Sequence, residues 1–167
     1  MAAGCRPRDT PPILSVPPIA LDRVTAMTAF GDDILVGKNP SLDYFVDADD
    51  VAVHAVMSGV VTGVGPVESG SGHYIVVQKF RGSSWSVWQA PVMYPTVAEG
   101  DRVVAGQVLG TVGVSMADDL VTTLTVLGSG DDGAEAYCPL SFGTESFASE
   151  HTAVTATLCL AEKVSSD

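Results

Sequence analysis

From Val24 onward, apolar residues come in short runs or alternate with polar ones, and breaks rich in Gly or Asp separate them. Val51-Ala-Val-His-Ala-Val56 alternates, as does Trp85-Ser-Val-Trp88. Such a period of two sends successive side chains to opposite faces of a strand. The pattern predicts strands at Ile34–Val36, Val51–Val56, Gly59–Val64, Tyr74–Phe80, Ser84–Trp88, Arg102–Val104, Val108–Val114, Leu120–Leu127 and Ala153–Ala161. The nearest approach to a helical period, Ser146–His151, is too short to count as a helix. Short Val-, Ile- and Thr-rich strands with frequent turn signals predict an all-β sandwich or barrel, with an extra strand at the C-terminus.

The start of the chain follows another rule. Five of the ten prolines precede Ala20, and Pro11-Pro12-Ile13 recurs as Pro17-Pro18-Ile19. Proline fixes φ and removes a backbone donor, so residues 1–23 are expected to form an extended arm ahead of a single β domain over 24–167. Ile13, Leu14, Val16 and Ile19 are too apolar for a solvated tail. They predict an arm lying along a surface, its own or a partner's, and are the candidate assembly contacts.

Composition narrows the function. Of 167 residues, 46% are hydrophobic and 17% charged, which is globular and not disordered. Twenty acidic residues against eight basic ones give a net charge of −12. A chain of that sign has little with which to displace phosphate counterions or to hold an anionic bilayer, so neither nucleic acid nor membrane is an expected partner. No apolar run approaches the length of a transmembrane helix, and neither a basic region nor an apolar core precedes Cys5 to make a signal peptide. The three cysteines, Cys5, Cys138 and Cys159, show no zinc-ligand spacing. Cys138 and Cys159 either pair or remain buried thiols, and the sparse odd set favours thiols.

One block is more specific. Val53-His-Ala-Val-Met-Ser-Gly59-Val60-Val61 leads to Gly70-Ser-Gly72-His-Tyr74, then to Ser86-Val87-Trp88. Gly100-Asp101-Arg-Val103-Val-Ala-Gly106-Gln107-Val108-Leu109-Gly110 follows. Farther on stand Thr123-Leu124-Thr125-Val126-Leu127 and Tyr137-Cys-Pro139-Leu140. Over about residues 39–142 this resembles the β domain of the M23 (LytM-like) metallopeptidases. The resemblance implies an antiparallel β-sandwich in which Gly100-Asp101 and Gly106-Gln107 make tight turns.

The family's zinc ligands do not carry over. They are a His, an Asp four positions later, and the second His of a His-x-His pair. Asn39 stands for the first, Asp43 for the second, and Thr123 and Thr125 for the pair. A further family His falls at Gln89 or Ala90. One carboxylate among neutral oxygens is a poor zinc site and leaves no imidazole as a base, so no cofactor and no peptidase activity are expected. His54, His73 and His151 are unpaired at ligand spacing and read as structural. Asp32-Asp33, Asp47–Asp50, Asp118-Asp119 and Asp131-Asp132 read as solvated turns. No serine elbow is present, and Lys79 lacks the surroundings of a lipoyl or biotinyl lysine.

Asp43, Tyr44, Trp88, Thr123 and Thr125 are thus expected to line a vestigial groove. The function that follows is a structural or assembly protein on a degenerate M23-like fold, binding other protein subunits. Because M23-like domains occur in bacteriophage virions, the resemblance suggests a tail- or capsid-associated component, in a virion or a cytoplasmic assembly. The alternative is a catalytically dead module that binds cell-wall glycan or peptide, or an amidase.

Overall fold

The computed structural model describes residues 9–130 and 133–165. The readings at Met1–Cys5, Pro7 and Asp131-Asp132 lie outside them. In chain order the strands are β1 (Ala26–Thr28), β2 (Asp33–Ile34), β3 (Gly37–Lys38), β4 (Leu42–Phe45), β5 (Ala52–His54), β6 (Gly59–Pro66) and β7 (His73–Gln78). They continue as β8 (Trp85–Met93), β9 (Arg102–Val103), β10 (Val108–Val114), β11 (Leu120–Gly130), β12 (Gly133–Tyr137) and β13 (Lys163–Ser165). The helix α1 spans Glu145–Val154.

Strand pairing is antiparallel throughout the named strands, and the fold is all-β with one helix, as the pattern predicts. The main sheet runs β1-β4-β11-β10-β8-β7-β6-β9. β5 joins β10, and β12 links β11 to β13; β2 and β3 form a separate hairpin. β8 pairs with β7 along one edge and divides the other between two strands, pairing with β11 over Trp85–Ala90 and with β10 at Val92 and Met93. That division puts β11 at the centre, bonded to β4 on one side and β8 on the other.

Alternation decides which face is buried. Along β11, Thr122, Leu124 and Val126 are buried, while Thr123, Thr125 and Leu127 face outward and are half-buried. Leu42 and Tyr44 of β4 and Val87 and Gln89 of β8 complete the inner face. Gln89 is one of the polar side chains on this face, and its carboxamide is satisfied. Oε1 accepts from the Val56 amide at 3.3 Å, and Nε2 donates to the His54 carbonyl at 2.7 Å. Gly100 and Gly106 take φ of +96° and +90°, so the two turns expected around them are left-handed, where only glycine is unstrained.

The ends of the chain depart from expectation. The predicted strand Ala153–Ala161 is not formed; α1 occupies its first residues, and β13 lies beyond it. Thr144 caps the helix, its Oγ1 accepting from the Phe147 amide at 3.2 Å. Only Phe147 and His151, one helical turn apart, are buried on α1, so its hydrophobic period is too thin to read from sequence.

The described residues of the arm, 9–23, pack onto the β-sheet. Leu14 and Ile19 are fully buried, Val16 is half-buried, and Ile13 points out at 63% exposure. Leu14 bridges the chain after β12, its amide donating to Phe142 O and its carbonyl accepting from Thr144. Asp9 anchors the start by accepting from the Ser84 amide at 2.9 Å and from the hydroxyls of Ser83 and Ser84. Cys138 and Cys159 form a disulfide, which corrects the free-thiol expectation. The two residues could not be placed as neighbours before α1 folded the intervening chain back.

Candidate functional site

The outer face of β4, β11 and β8 carries four of the five residues expected to line a groove, Asp43, Trp88, Thr123 and Thr125. Asp43 lies opposite Thr123, and Thr123 lies opposite Ala90, so the three form one row across the sheet. Two residues along, Thr125 faces Trp88. This register places Ala90, not Gln89, at the outward position of the family's further His, because Gln89 points into the core. Pro40, Trp88, Ala90, Thr123, Thr125 and Leu127 line a shallow depression of about 260 Å³.

Asn39, Ser41 and Asp43 form a closed set beside it. The Asn39 amide nitrogen donates to Asp43 Oδ2 at 3.0 Å and to the Ala29 carbonyl at 3.2 Å. The Ser41 hydroxyl reaches Asp43 Oδ1 at 2.5 Å and Asn39 Oδ1 at 3.0 Å. Burial pushes the Asp43 carboxyl above its ordinary range, against the hydrogen bonds from Ser41 and Asn39 that pull it down. Thr123 turns its hydroxyl away from Asp43 and donates to Ala90 O at 2.7 Å.

The zinc of the resembled peptidases does not fit these residues. A divalent ion at Asp43 would meet an amide N–H from Asn39, which is a donor where a ligand lone pair is needed. Among the described residues, no three His, Cys, Asp or Glu side chains come together as a metal-binding group.

Tyr44 does not belong to the groove. It alternates to the inner face of β4 and is wholly buried. There its hydroxyl meets His151 Nε2 at 2.8 Å, while His151 Nδ1 lies 2.7 Å from the Phe147 carbonyl. Nδ1–H therefore donates to the carbonyl, and Nε2 accepts from the tyrosine. Burial lowers the His151 pKa and raises that of Tyr44 well above the ordinary phenol value. His151, read from the sequence as a structural histidine, is the polar pin that holds α1 to the sheet. The signal was its helical spacing from Phe147.

Two features flank the row. On one side Trp88 packs against Tyr74, with ring centroids 5.3 Å apart, over a recess lined by Thr62, Gln78, Arg81 and Ser86. On the other, a wider trough of about 750 Å³ runs from Asp43 and Thr123 past Phe45 and Val121 to Leu35 and Met116. Sequence reasoning missed this trough, because nothing local links residues 34–36 to residue 116.

The fold has many solved counterparts. The catalytic domain of lysostaphin from Staphylococcus simulans superposes with a TM-score of 0.60 at 21% identity, covering 73% of this chain and 93% of that one. The SpoIIQ–SpoIIIAH pore-forming complex contains a chain matched with a TM-score of 0.64 at 18% identity, covering 86% and 99%. Csd3 of Helicobacter pylori matches with a TM-score of 0.57 at 14% identity, covering 84% and 39%. Against the solution structure of lysostaphin, this chain spans 54% of the length. None of the curated protein sequences matches. The family model for peptidase family M23 matches residues 37–126, more than half of the chain and the whole stretch from β3 to the centre of β11, and the chain therefore belongs to peptidase family M23.

Proposed function

We propose that this chain is a non-enzymatic member of its family, a protein-binding module that keeps the M23 scaffold without its chemistry. The observation that carries the reading is the Asn39–Ser41–Asp43 set. Its hydrogen bonds tie up the carboxylate internally and turn a donor toward the space a metal would need. The SpoIIQ–SpoIIIAH complex, in which a chain of this fold is solved with a protein partner, supports the partner-binding half of the proposal.

The test is the zinc content of the purified chain, by elemental mass spectrometry after dialysis against a weak chelator. Background zinc is expected. Near-stoichiometric zinc would overturn the proposal and make the chain a peptidase with substituted ligands.

A second reading has one observation in its favour. The Tyr74–Trp88 ledge, beside the polar side chains of Thr62, Gln78, Arg81 and Ser86, is suited to a sugar ring of cell-wall glycan. The finer reading as a tail- or capsid-associated virion subunit rests on the resemblance alone. The arm that suggested an assembly contact is largely folded into its own core. As to compartment, the Cys138–Cys159 bond supports an oxidising environment over a reducing cytosol, and no described helix is long and apolar enough to cross a membrane.

A further inference from the structure

We infer that the trough between the β2–β3 hairpin and the β10–β11 turn docks a segment of a partner protein that carries apolar side chains flanked by lysine or arginine. The inference rests on the protein-binding reading above and assigns it a surface.

Hydrophobic exposure is the first ground. Ile34 and Leu35 on the hairpin side are 44% and 106% exposed, and Met116 across the trough is 79% exposed. Large apolar side chains held at that exposure on both walls of one concavity cost solvation free energy in the free protein, and covering them recovers it. The floor between them is also apolar, built from Phe45 and Val121, which are paired in register across β4 and β11. Phe45 and Val121 sit one row along from Asp43 and Thr123, so the trough is a continuation of the altered groove.

Charge selects the occupant. Asp43 and Asp119 line the trough, and Asp118 adjoins it in the turn. Among the described residues none of the three has a basic side chain within ion-pair distance. Among the described residues, no lysine or arginine lines the trough. A second copy of this chain would bring its own net charge of −12 against these carboxylates, so self-association there is opposed. A segment with cations beside its apolar anchors meets both requirements, anchoring by burial and steering by charge.

The experiment is amide NMR of the full isotopically labelled chain, titrated with three synthetic peptides of about ten residues, enough to span the trough when extended. One alternates leucine with lysine, one leucine with glutamate, and one serine with lysine. The leucine–lysine peptide is expected to bind saturably and shift Leu35, Met116 and Thr123. Its binding should weaken about tenfold in the doubly substituted L35S/M116S variant, and should weaken as salt is raised. Both substitutions fall on exposed side chains, so the fold is retained and its spectrum shows it.

The inference is overturned if the glutamate peptide binds as well as the lysine one, or if the serine–lysine peptide does. It is equally overturned if the shifts gather at Tyr74 and Trp88, or if the chain dimerises through Leu35 without peptide. A parallel titration with zinc alone separates this failure from that of the functional proposal. Shifts at Asp43 on adding zinc count against the loss of metal chemistry; a silent zinc titration with failed peptide binding counts only against the trough.

Discussion

Asp43 shows how burial and hydrogen bonding compete at a single residue of the site. Its carboxyl is raised mainly by burial, so the folded chain binds the proton more tightly than the unfolded chain does. The linkage follows in sign. Stability from this group is greatest below the unfolded value of 3.8 and declines as pH rises toward and through the raised folded value. Asp43→Asn keeps the shape and removes the ionisation, with Oδ1 accepting from Asn39 and the new amide donating to Ser41 Oγ. Urea unfolding should find this variant gaining on the wild type as pH increases from about 4 to about 7. An unchanged difference would mean that the carboxylate is well solvated. His151 carries the opposite sign. Its folded pKa is depressed by burial, so its contribution is complete above the unfolded value of 6.5 and is lost as pH falls below it. The melting temperature should therefore drop between pH 7 and pH 5, and that drop should shrink in His151→Gln. Tyr44→Phe strips the donor from a buried Nε2 and should cost about 1–3 kcal/mol at neutral pH, read as a shift in the urea midpoint.

At the scale of the element, α1 and the arm are both held by contacts distant in sequence. The Cys138–Cys159 bond closes a loop of 21 residues around α1. Loop-closure entropy for that length is worth about 3 kcal/mol, so reduction should lower the melting temperature measurably while leaving the β-sheet signal in place. The arm supplies Leu14 and Ile19 to the core, and Leu14→Ala should cost about 2–5 kcal/mol by chemical denaturation. A solvated or partner-bound arm would give almost no effect. These elements also mark the limit of what the sequence displays. β10 was legible to the residue, and β6, β7 and β11 nearly so, because each alternates or runs apolar between clear turn signals. β4 was not, since four residues with Asp43 outward carry too short a pattern. Nor was α1, whose two buried side chains are read as helical only once the sheet they dock on is known. The disulfide depends on that same docking, so it was hidden for the same reason.

For the whole molecule, the groove is where sequence and structure meet most closely. The row Asp43–Thr123–Ala90 and its neighbours Thr125 and Trp88 could be placed together from the family pattern, because register in a sheet with one buried face is strongly fixed. What the pattern left open was orientation. Tyr44, adjacent to Asp43, points to the opposite face, and the trough toward Leu35 and Met116 arises from loops that meet only in three dimensions. If the scaffold has kept its geometry and lost only its ligands, restoring them should restore binding. Asn39→His with Thr125→His supplies two imidazoles beside Asp43, a three-ligand set with an open fourth position. Asn39→His also removes the amide donor that now faces Asp43. The double variant should bind zinc, and because only the folded state assembles the set, zinc at about 100 times its Kd should stabilise it by about 2.7 kcal/mol. Thermal melts with and without zinc check this, with the wild type as the control expected to show no shift. A double variant that also melts unchanged would mean that, although Asp43 is paired with Thr123, position 39 ahead of β4 is not held where its imidazole can share a metal with Asp43 and position 125.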